Sequence, residues 1–590
     1  MRLWKSKRMI ALMLLGAVLV GLTGCRSAQK PTVMQGDLLP VDAAAEAEIR
    51  SALSLLVDRN YIVNQIAQGG QIPAASFVPS GMTDADGSQF YENTDYFDPS
   101  EAAYEENFTR AIQILRKYYA YDERTGKFLN FPSLTYLYNN SDAHRAVGEY
   151  LQNVFAGVGI PVNLENQEWN SFLNARKQGA YTLARNGWVA DYNDPICFLD
   201  MWTSASGNND IQFGRGAHRD AAIYDLDLTD LGINIQVENG TWAQTYDVLI
   251  DTIKSTADRQ TRYTLMHRAE DMLMQTGCIM PLYYYTDLYM VKNSVEGMYT
   301  NPLGYKYFHS TTVNGSGASI SVCLSSEPDS LDPAINSTVD GATLLSHLFA
   351  GLARWGTDEN GQPILVSDCA EELPEGVTNP DGTVTYTYTI RENARWSDGK
   401  PVTAGDFVYA WNRAADDTMG AGHGYLFEVI AGYDRGEMAV SAQDDRTLTV
   451  TLRGPVGYWN ELLALPYFFP VRQDAVEGKE GWATNPATYI SNGGYTMTGW
   501  EHNSVITLKK NTGYHDADTV TMNEIRFYLS DDTNNMLSNF KNGTWLVIES
   551  VPTNEVAALK QQYPGELVIA PQIGTYYLCW NINENLQPTA

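Results

Sequence analysis

A short stretch rich in Asn, Gly and Ser, residues 314–319, divides this 590-residue chain into two parts of different character. Before it, apolar residues recur at helical spacing, as Ile49, Leu53 and Leu56 do at positions i, i+4 and i+7. After it, residues 384–390 alternate apolar side chains with Thr, which is the period of two typical of a strand. A chain of this length exceeds what one hydrophobic core holds, so we expect a mixed α/β protein of two or three domains.

The N-terminus has the pattern of a bacterial export signal. Basic residues among the first eight precede an apolar run over 9–22, and the next residues complete the sequence LTGC, which ends at Cys25. The run is shorter than the roughly 20 apolar residues that cross a bilayer, which argues against a plain membrane-spanning anchor. The LTGC sequence matches the lipobox of bacterial lipoproteins. It implies a signal peptide over 1–24, a membrane-anchoring lipid on Cys25 and a tether over 25–40.

The charge of the chain excludes one class of partner. With 40 Lys and Arg against 70 Asp and Glu, the formal net charge is −30. Such a surface repels phosphate backbones, so we expect no nucleic-acid partner. The composition fits a protein that stays in solution outside the cell.

The remaining cysteines carry no recognisable metal motif. They lie far apart, with no CxxC pair and no nearby His at ligand spacing, at Cys197, Cys278, Cys323, Cys369 and Cys579. Their odd number leaves at least one thiol unpaired within a single chain. We expect most of them to be small buried residues, while a disulfide among them stays open.

Enzyme motifs are also missing from the sequence. It contains no HExxH, no GxSxG, no GxxxxGK[ST] and no GxGxxG between a strand and a helix, and its eight histidines form no spaced cluster. A pair of carboxylates of the glycosidase kind is not excluded by counting acidic residues, although most of these are typical of a solvated surface. We therefore expect a protein without catalytic activity, metal or cofactor.

Several stretches resemble one family, the peptide-binding proteins of ABC importers. The most specific block runs from Ile390 to Trp411, and the stretches are spread along the chain from residue 49 to residue 583. They read SSEPDSLDPAINSTVDGATLLSHLFAGL, YTYTIRENARWSDGKPVTAGDFVYAW, ALPYFFPV, YISNGGYTMTGW, IGTYYLCWNIN, IRSALSLLVDRNYIVNQIAQGGQIPAASFVPSGM, GWVADYNDP and IMPLYYY.

The order of these stretches differs from the order in the family. There, SEPDSLDP comes first and GTYYLCWNIN leads directly into RSALSLLVDR, whereas here the segment 49–313 precedes the part that starts at Ile320. The chain therefore resembles a circular permutant in which 314–319 joins the family's usual termini. Permutation is tolerated where the cut lies in an exposed loop. The alternative is a rearranged gene with two partly matched halves.

The resemblance implies an α/β fold of the two-lobe periplasmic-binding-protein type II, with a hinge and an extra accessory domain. We place the distal lobe at 41–275 plus 576–590. The proximal lobe then takes 276–340 plus 487–575, and the accessory domain takes 341–486. In this family the ligand is enclosed between the lobes.

The resemblance also implies a function and its residues. An oligopeptide would be captured between the lobes and delivered to the permease and ATPase of an ABC importer. Within ARNGWVADYNDP, Asp191 matches the carboxylate that receives the peptide α-ammonium, and Arg185 matches an arginine that meets the carboxylate of short ligands. Gly187 and Val189 would offer backbone groups to the peptide, with Trp188 as an aromatic wall.

Further site residues come from other segments. Glu327, Ser325 and Ser326 match the strand region that pairs with the ligand backbone, and Tyr577 matches an aromatic residue of the pocket. Each has a structural alternative: Asp191 can cap a turn, Arg185 can form a surface ion pair, and the aromatic residues can be core.

Other ligands stay open at this point. Relatives of this architecture bind dipeptides, signalling peptides, oligosaccharides or nickel complexes, and a rearranged surface paralogue would bind none of them. We expect a monomer held at the outer face of the cell membrane, or in the periplasm of a cell with an outer membrane.

Overall fold

The structure is a computed structural model that describes residues 38–216, 226–233, 241–328, 330–419 and 423–589. The predicted signal peptide, the predicted lipid on Cys25 and most of the predicted tether lie outside these residues. None of the described helices combines the length and the apolar composition that crossing a bilayer requires.

The α-helices of the described residues are concentrated in the part of the chain before residue 276. In chain order they are α1 (Ala43–Leu55), α2 (Arg59–Tyr61), α3 (Tyr104–Leu115), α4 (Asp142–Gly157), α5 (Trp169–Lys177), α6 (Ile196–Leu199), α7 (Trp242–Ser255), α8 (Arg259–Gln275), α9 (Val339–Leu348), α10 (Ala404–Ala414), α11 (Trp459–Leu462), α12 (Gln473–Val476), α13 (Thr533–Lys541) and α14 (Val556–Gln562).

Local capping signals set several of these helix ends. Asp42 caps α1 by accepting from the amide of Ala45, as Asp at this position favours. Thr403 and Asp406 form a reciprocal capping box at the start of α10. Asp58 caps α2, which continues as a π-helix and ends at Gln68 in a left-handed conformation, just before Gly69.

The strands are distributed along the whole described chain. They are β1 (Ile72–Pro73), β2 (Tyr121–Asp122), β3 (Lys127–Phe128), β4 (Leu134–Asn139), β5 (Val162–Gln167), β6 (Leu183–Val189), β7 (Ile279–Val291), β8 (Val295–Glu296), β9 (Tyr299–Thr300), β10 (Lys306–Tyr307), β11 (Thr312–Val313), β12 (Ile320–Leu324), β13 (Ala353–Thr357), β14 (Pro363–Ser367), β15 (Val377–Thr378), β16 (Val384–Thr389), β17 (Val440–Ala442), β18 (Thr447–Leu452), β19 (Tyr495–Glu501), β20 (Val505–Lys510), β21 (Glu524–Leu529), β22 (Val547–Ile548) and β23 (Leu567–Trp580).

One sheet of eleven strands connects the two ends of the molecule. Its order is β19-β20-β21-β12-β22-β7-β23-β6-β4-β5, with β1 attached to β7. On one side of the β7–β23 pair lie strands from after residue 319, and on the other side lie β4, β5 and β6 from before residue 190. This is the mixed α/β architecture that the resemblance implies, with a lobe at either end of the sheet.

The long strands β7 and β23 form the hinge region between the two lobes. They pair antiparallel in two stretches, and the register shifts between Pro571 and Thr575. One stretch pairs Leu567 with Met290, and the other pairs Cys579 with Ile279. A shifted register interrupts the ladder of hydrogen bonds. The strands that join the two lobes are therefore least tightly paired near their middle.

Two smaller sheets occupy the predicted accessory domain. β13 pairs with β14, and a four-stranded sheet has the order β15-β16-β18-β17. In β18, Leu448, Val450 and Leu452 are buried, as their period of two predicts. The domain limits drawn from the resemblance stay predictions, and so does the permuted order.

The structure shows whether the five cysteines beyond Cys25 form a disulfide, which the sequence left open. Cys197, Cys278, Cys323, Cys369 and Cys579 are all buried and free of disulfides. They therefore pack as small apolar residues.

Candidate functional site

The strand β6 has one open edge next to the hinge. Its seven residues, Leu183–Val189, all pair with β23 on one side. On the other side, β4 pairs only with Leu183 and Ala184. Among the described strands, none covers this edge over 185–189, so an added strand can pair there if it replaces the side-chain bonds of Asn186 to the Gly187 amide and of Arg176 to the Arg185 carbonyl.

Gly187 lies in this open stretch, and its lack of a side chain is required there. A Cβ at Gly187 would come within 2.3 Å of the hydroxyl of Tyr285, which projects from β7. The Gly187 amide donates to the side-chain oxygen of its neighbour Asn186 at 2.8 Å. A glycine thus lets the hydroxyl of Tyr285 pack directly onto the β6 backbone.

Arg185 projects into a cluster of tyrosines. Its guanidinium carbon lies 5.4 Å from the ring centroid of Tyr576. No Asp or Glu of the described residues forms an ion pair with it, and its Nε is buried without a hydrogen-bond partner. Burial works against the charge, but the neighbouring Tyr285, Tyr576 and Tyr283 raise the pKa of Arg185 above its ordinary value. The cluster therefore holds a half-buried cation that has no carboxylate partner among the described residues.

His144 completes the cluster and stays neutral within it. Its Nδ1 lies 3.0 Å from the hydroxyl of Tyr576. Burial, and after it the charge of Arg185, lower the pKa of His144 to about 3. The positive charge of the cluster at neutral pH therefore belongs to Arg185 alone.

Tyr577 points to the opposite face of β23. Its ring contacts Phe77 edge-on at 4.9 Å and Trp202 at 6.0 Å between centroids, and it is fully buried. Successive side chains of a strand alternate between faces, so the aromatic residue beside Arg185 is Tyr576. The structure places Tyr577 in the core of the β6 lobe.

Asp191 lies two residues beyond the end of β6, where it meets the predicted accessory domain. Its carboxylate accepts a hydrogen bond from the hydroxyl of Tyr425, and the Nε2 of His423 lies 3.7 Å away. The Asp191 amide donates to the sulfur of Cys197 at 3.2 Å. The carboxylate is 15% exposed, so it is largely removed from water.

The charge of this carboxylate acts on three tyrosines from distant segments. Burial, and after it the charge of Asp191, raise the pKa of Tyr425 and of Tyr305. Burial, and after it Tyr305 and Asp191, raise the pKa of Tyr467. The ring of His423 stacks on the ring of Tyr467, with the centroids 4.2 Å apart. A carboxylate inside an aromatic enclosure suits a ligand ammonium, because ring faces also attract cations.

The loop after Asp191 binds the β6 lobe to the predicted accessory domain. Tyr192 stacks on Tyr458 with ring centroids 4.3 Å apart. The amide of Asn193 donates to the carboxylate of Glu461 at 2.7 Å. Burial raises the pKa of Glu461 to about 7. The loop therefore forms part of a closed interface.

A cavity of about 500 Å³ opens in this interface, and Tyr425, the hydrogen-bond partner of Asp191, lines it. It extends from the indole of Trp188 to the 3-10 helix Gly424–Val429 of the predicted accessory domain. The Nε1 of Trp188 is buried without a hydrogen-bond partner. The volume lies in the range of ligand pockets, which is roughly 300–1,000 Å³.

The predicted residues of the other lobe lie just beyond β12. The carboxylate of Glu327 accepts from Trp500 Nε1 at 2.7 Å and from the Asn503 amide at 2.8 Å. Burial opposes its charge, but these donors and His502 lower its pKa overall. Its side chain is thus engaged within its own lobe.

The serines of this segment are held by one carboxylate. Asp340 accepts from the amide of Ser326 at 2.8 Å and from its hydroxyl at 3.0 Å. The backbone of Ser325 also bonds to Asp340. No contact joins Ser325, Ser326 or Glu327 to Asp191 or Arg185 among the described hydrogen bonds and ion pairs.

Comparison with known sequences decides the family. The profile of "Bacterial extracellular solute-binding proteins, family 5 Middle" matches residues 39–210 and 365–589, which is more than half of the chain. The chain belongs to this family. The match confirms the expectation of a solute-binding protein and not an enzyme.

Individual relatives of the solute-binding protein share about half of their length with it. Dipeptide-binding protein DppE from Bacillus subtilis is 35% identical over 265 residues, which cover 44% of this chain and 47% of DppE. Oligopeptide-binding protein OppA from Bacillus subtilis is 32% identical over 295 residues, covering 46% and 52%. The solved structure of Burkholderia pseudomallei OppA superposes over 42% of this chain and 48% of its own, with 30% identity and a TM-score of 0.38. The chain spans about half the length of the curated relatives it matches.

Sequence reasoning missed several residues of the solute-binding protein's site. Tyr283 and Tyr285 share one face of β7, and their spacing of two in PLYYYTDLY is a signal that they line the site together. Tyr425 and His423 lie more than 230 positions from Asp191, and nothing local in the sequence links them.

The solute-binding protein shows no metal-binding arrangement in the part that the structure describes. There, no group of three or more His, Cys, Asp or Glu side chains is placed to hold an ion. The acidic residues of the site are instead bonded to tyrosine, histidine and lysine.

Proposed function

We propose that this solute-binding protein captures oligopeptides with free ends beside β6 and delivers them to the permease and ATPase of an ABC importer. The observation that carries the proposal is the pair of fixed charges at the open edge of β6. Arg185 is a half-buried cation without a carboxylate, and Asp191 is a largely buried carboxylate beside the hydroxyl of Tyr425. A short zwitterionic chain supplies the two missing counter-charges.

Asp191 receives the α-ammonium of the peptide. The partners of its carboxylate are the hydroxyl of Tyr425 and, at 3.7 Å, the ring of His423. An ammonium forms a stronger, charge-assisted hydrogen bond with a carboxylate than a hydroxyl does. The enclosure removes this pair from water, so it contributes more than an exposed ion pair.

Arg185 receives the terminal carboxylate of short peptides. Its Nε is buried and lacks a partner, which is a costly arrangement unless a ligand completes it. The planar guanidinium matches a carboxylate in a bidentate geometry. The guanidinium contacts the ring of Tyr576 and bonds to the hydroxyls of Tyr285 and Tyr576, while its Nε is left for a ligand carboxylate.

The open edge of β6 supplies sequence-independent binding. An extended peptide adds to an uncovered strand edge through main-chain hydrogen bonds, which every peptide sequence can form. Residues Gly187 and Val189 lie in this uncovered stretch. The side chains of the ligand then enter the adjoining cavity of about 500 Å³ beside Trp188.

Dipeptides are the second candidate ligand. The relative at 35% identity is named a dipeptide-binding protein, and the other curated relative is named for oligopeptides. Both ligand classes have a free amine and a free carboxylate, so they share the Asp191 and Arg185 contacts and differ in length.

The chain acts, in this proposal, as a monomer anchored by a lipid on Cys25 at the outer face of the cell membrane. The support is the LTGC sequence at the end of the apolar N-terminal run. Anchoring keeps the binding protein close to its permease, where the local concentration of loaded protein is high.

We also propose that the two parts of the chain form one fold in permuted order. The segment after β23 runs along α1, where Leu586 donates its amide to Glu46 at 3.3 Å and Tyr119 donates to the carbonyl of Leu586 at 2.5 Å. Asn314 and Gly315 adopt left-handed conformations in the tight turn that leads from β11 to β12. A chain with 320–589 placed before 42–313 is expected to melt within a few degrees of the natural one, and a difference above 10 °C contradicts the permutation.

The proposed function is tested by isothermal titration calorimetry with four ligands. These are Ala-Ala-Ala with free ends, its N-acetylated form, its C-amidated form and Ala-Ala. We expect each blocked end to weaken binding at least tenfold relative to free Ala-Ala-Ala. Equal affinity for free and blocked peptides contradicts the proposal, and tighter binding of Ala-Ala identifies a dipeptide-binding protein.

A further inference from the structure

A second cavity adjoins the one that Tyr425 and Trp188 line. It has a volume of about 350 Å³ and is lined by α7, α8 and residues 453–458 of the predicted accessory domain. Among the described lining residues, the two cavities have only Lys254 and Glu428 in common. These two side chains therefore stand between the cavities.

Lys254 and Glu428 form an ion pair across the interface. Lys254 projects from α7, and its ammonium contacts the carboxylate of Glu428 in the 3-10 helix Gly424–Val429. The same ammonium lies 3.2 Å from the carboxylate of Asp200, so it is held from both sides. The side chains of Lys254 and Glu428 are 30% and 33% exposed, because each faces open space in both cavities.

The 3-10 helix links this ion pair to the proposed ammonium site. Tyr425 and Glu428 are three positions apart, and side chains at i and i+3 of a 3-10 helix lie on one face. One contacts Asp191 and the other contacts Lys254, so the short helix is fixed to the β6 lobe at two points. The first cavity lies between these points and the indole of Trp188.

We propose that the Lys254–Glu428 ion pair is a wall that limits the size of the ligand group the first cavity accepts. This inference rests on the proposed peptide function and names the residues that set its size limit. With the wall in place, a side chain has the first cavity alone. Without it, the two cavities join and a large side chain extends into the second.

The wall is tested with two truncations and one matched control. Glu428→Ala removes the carboxylate of the ion pair and leaves Lys254 paired with Asp200. Lys254→Ala removes the ammonium of the ion pair. Lys254→Arg retains the cation and serves as the control. Melting temperatures first establish that each variant is folded, and Glu428→Ala is the variant on which the test depends, because it strands no buried charge.

The probes are Ala-Ala-Ala and three variants of it, in which the Ala at position 1, 2 or 3 is replaced by Trp. We expect the affinity ratio of Trp peptide to Ala-Ala-Ala to rise at least tenfold at one position in both truncations. The ratio stays within twofold of wild type in Lys254→Arg. Ratios within twofold of wild type at all three positions in Glu428→Ala overturn the proposal.

A crystal structure of Glu428→Ala gives a readout that does not depend on peptides. We expect one continuous cavity in place of two, and two cavities still separated by other side chains overturn the proposal. If Ala-Ala-Ala fails to bind the wild-type protein, the peptide function fails, and the crystal structure still decides whether the ion pair is a wall.

Discussion

Tyr425 donates its hydroxyl hydrogen to the carboxylate of Asp191, although 234 positions separate the two residues in the chain. This bond joins the loop after β6 to the predicted accessory domain. A peptide ammonium would take the same place with a full positive charge. The carboxylate proposed to bind the ligand is therefore also a contact between the β6 lobe and the predicted accessory domain.

Replacing Asp191 by Asn removes the charge and retains the shape of the side chain. We expect this change to weaken binding of Ala-Ala-Ala at least tenfold, which is about 1.4 kcal/mol. Removing one partner of a buried charged pair typically costs about 2–5 kcal/mol, so larger losses agree with the account. Calorimetry measures the effect, and the N-acetylated peptide is the control, since both proteins should bind it equally. Unchanged affinity for the free peptide would exclude Asp191 as the ammonium site.

Arg185→Met separates the binding role of the guanidinium from its structural role. A half-buried cation without a carboxylate contributes little to the stability of the fold, so we expect the melting temperature to stay within a few degrees of the wild type. Binding of Ala-Ala-Ala should fall at least tenfold, and binding of its C-amidated form should change less than twofold. A large drop in melting temperature, or equal losses for both peptides, would show that Arg185 serves the fold and not the ligand.

Gly187→Ala tests the close packing of β7 onto β6. The new methyl would lie 2.3 Å from the hydroxyl of Tyr285, so one of the two must move. Overpacking of this kind costs about 1–3 kcal/mol, which thermal unfolding measures. Tyr285→Phe removes the clashing oxygen, and the double variant should recover at least half of the lost stability. A double variant that is less stable than the sum of the single changes would contradict this packing.

Glu270 gives the protein a stability that depends on pH. It is fully buried, and one of its oxygens accepts the amides of Phe77 and Val78 at 2.9 and 2.7 Å. Burial raises its pKa to about 8, from an ordinary value of 4.5. Between these two values the folded protein keeps a proton that the unfolded chain has lost, so this contribution is present below pH 4.5 and is lost as pH rises toward 8.

Glu270→Gln removes this titration and keeps the accepting oxygen. From pH 5 to pH 8, we expect the free energy of unfolding of the wild type to fall relative to the variant by at least about 1.4 kcal/mol, the equivalent of one pKa unit. Chemical denaturation at each pH measures the difference. The change with pH is the diagnostic, because the buried amide of Gln adds a cost that is the same at every pH. A constant difference would show that Glu270 is ionised in the folded protein.

Lys306 is a buried cation with two carboxylates beside the hinge. Its ammonium lies 2.9 Å from both Asp287 of β7 and Glu549, and its side chain is 1% exposed. Lys306→Met strands two buried carboxylates, so we expect a loss of about 3–5 kcal/mol in thermal unfolding. The triple variant with Asp287→Asn and Glu549→Gln as well should recover most of it. If the single and the triple variants are equally unstable, the lysine contributes through packing and not through its charge.

Local signals in the sequence predicted the helix starts and the strand alternation. Asp42 and the Thr403–Asp406 capping box work within one helical turn, so short segments contain the information. The period of two across Leu448, Val450 and Leu452 likewise reflects a strand with one buried face. The resemblance added the lobes and the motif around Asp191, which spacing alone does not provide.

The partners of the site residues were not predictable from local pattern. Tyr425 reaches Asp191 only because the whole accessory region folds against the β6 lobe. The choice between Tyr576 and Tyr577 depends on which face of β23 meets Arg185. Because both residues are tyrosines, their sequence does not indicate which one lies on that face. Likewise, the Lys254–Glu428 contact joins segments 174 positions apart.

The most direct test of peptide capture is native mass spectrometry of the purified chain from residue 26 onward, compared with a denatured extract of the same sample. The account predicts a mixture of short peptides that leaves with denaturation and accounts for the extra mass of the native protein. Peptides should be absent from an Asp191→Asn sample prepared in parallel. A folded wild-type protein that carries no peptide, and gains none when Ala-Ala-Ala is added, would contradict the account.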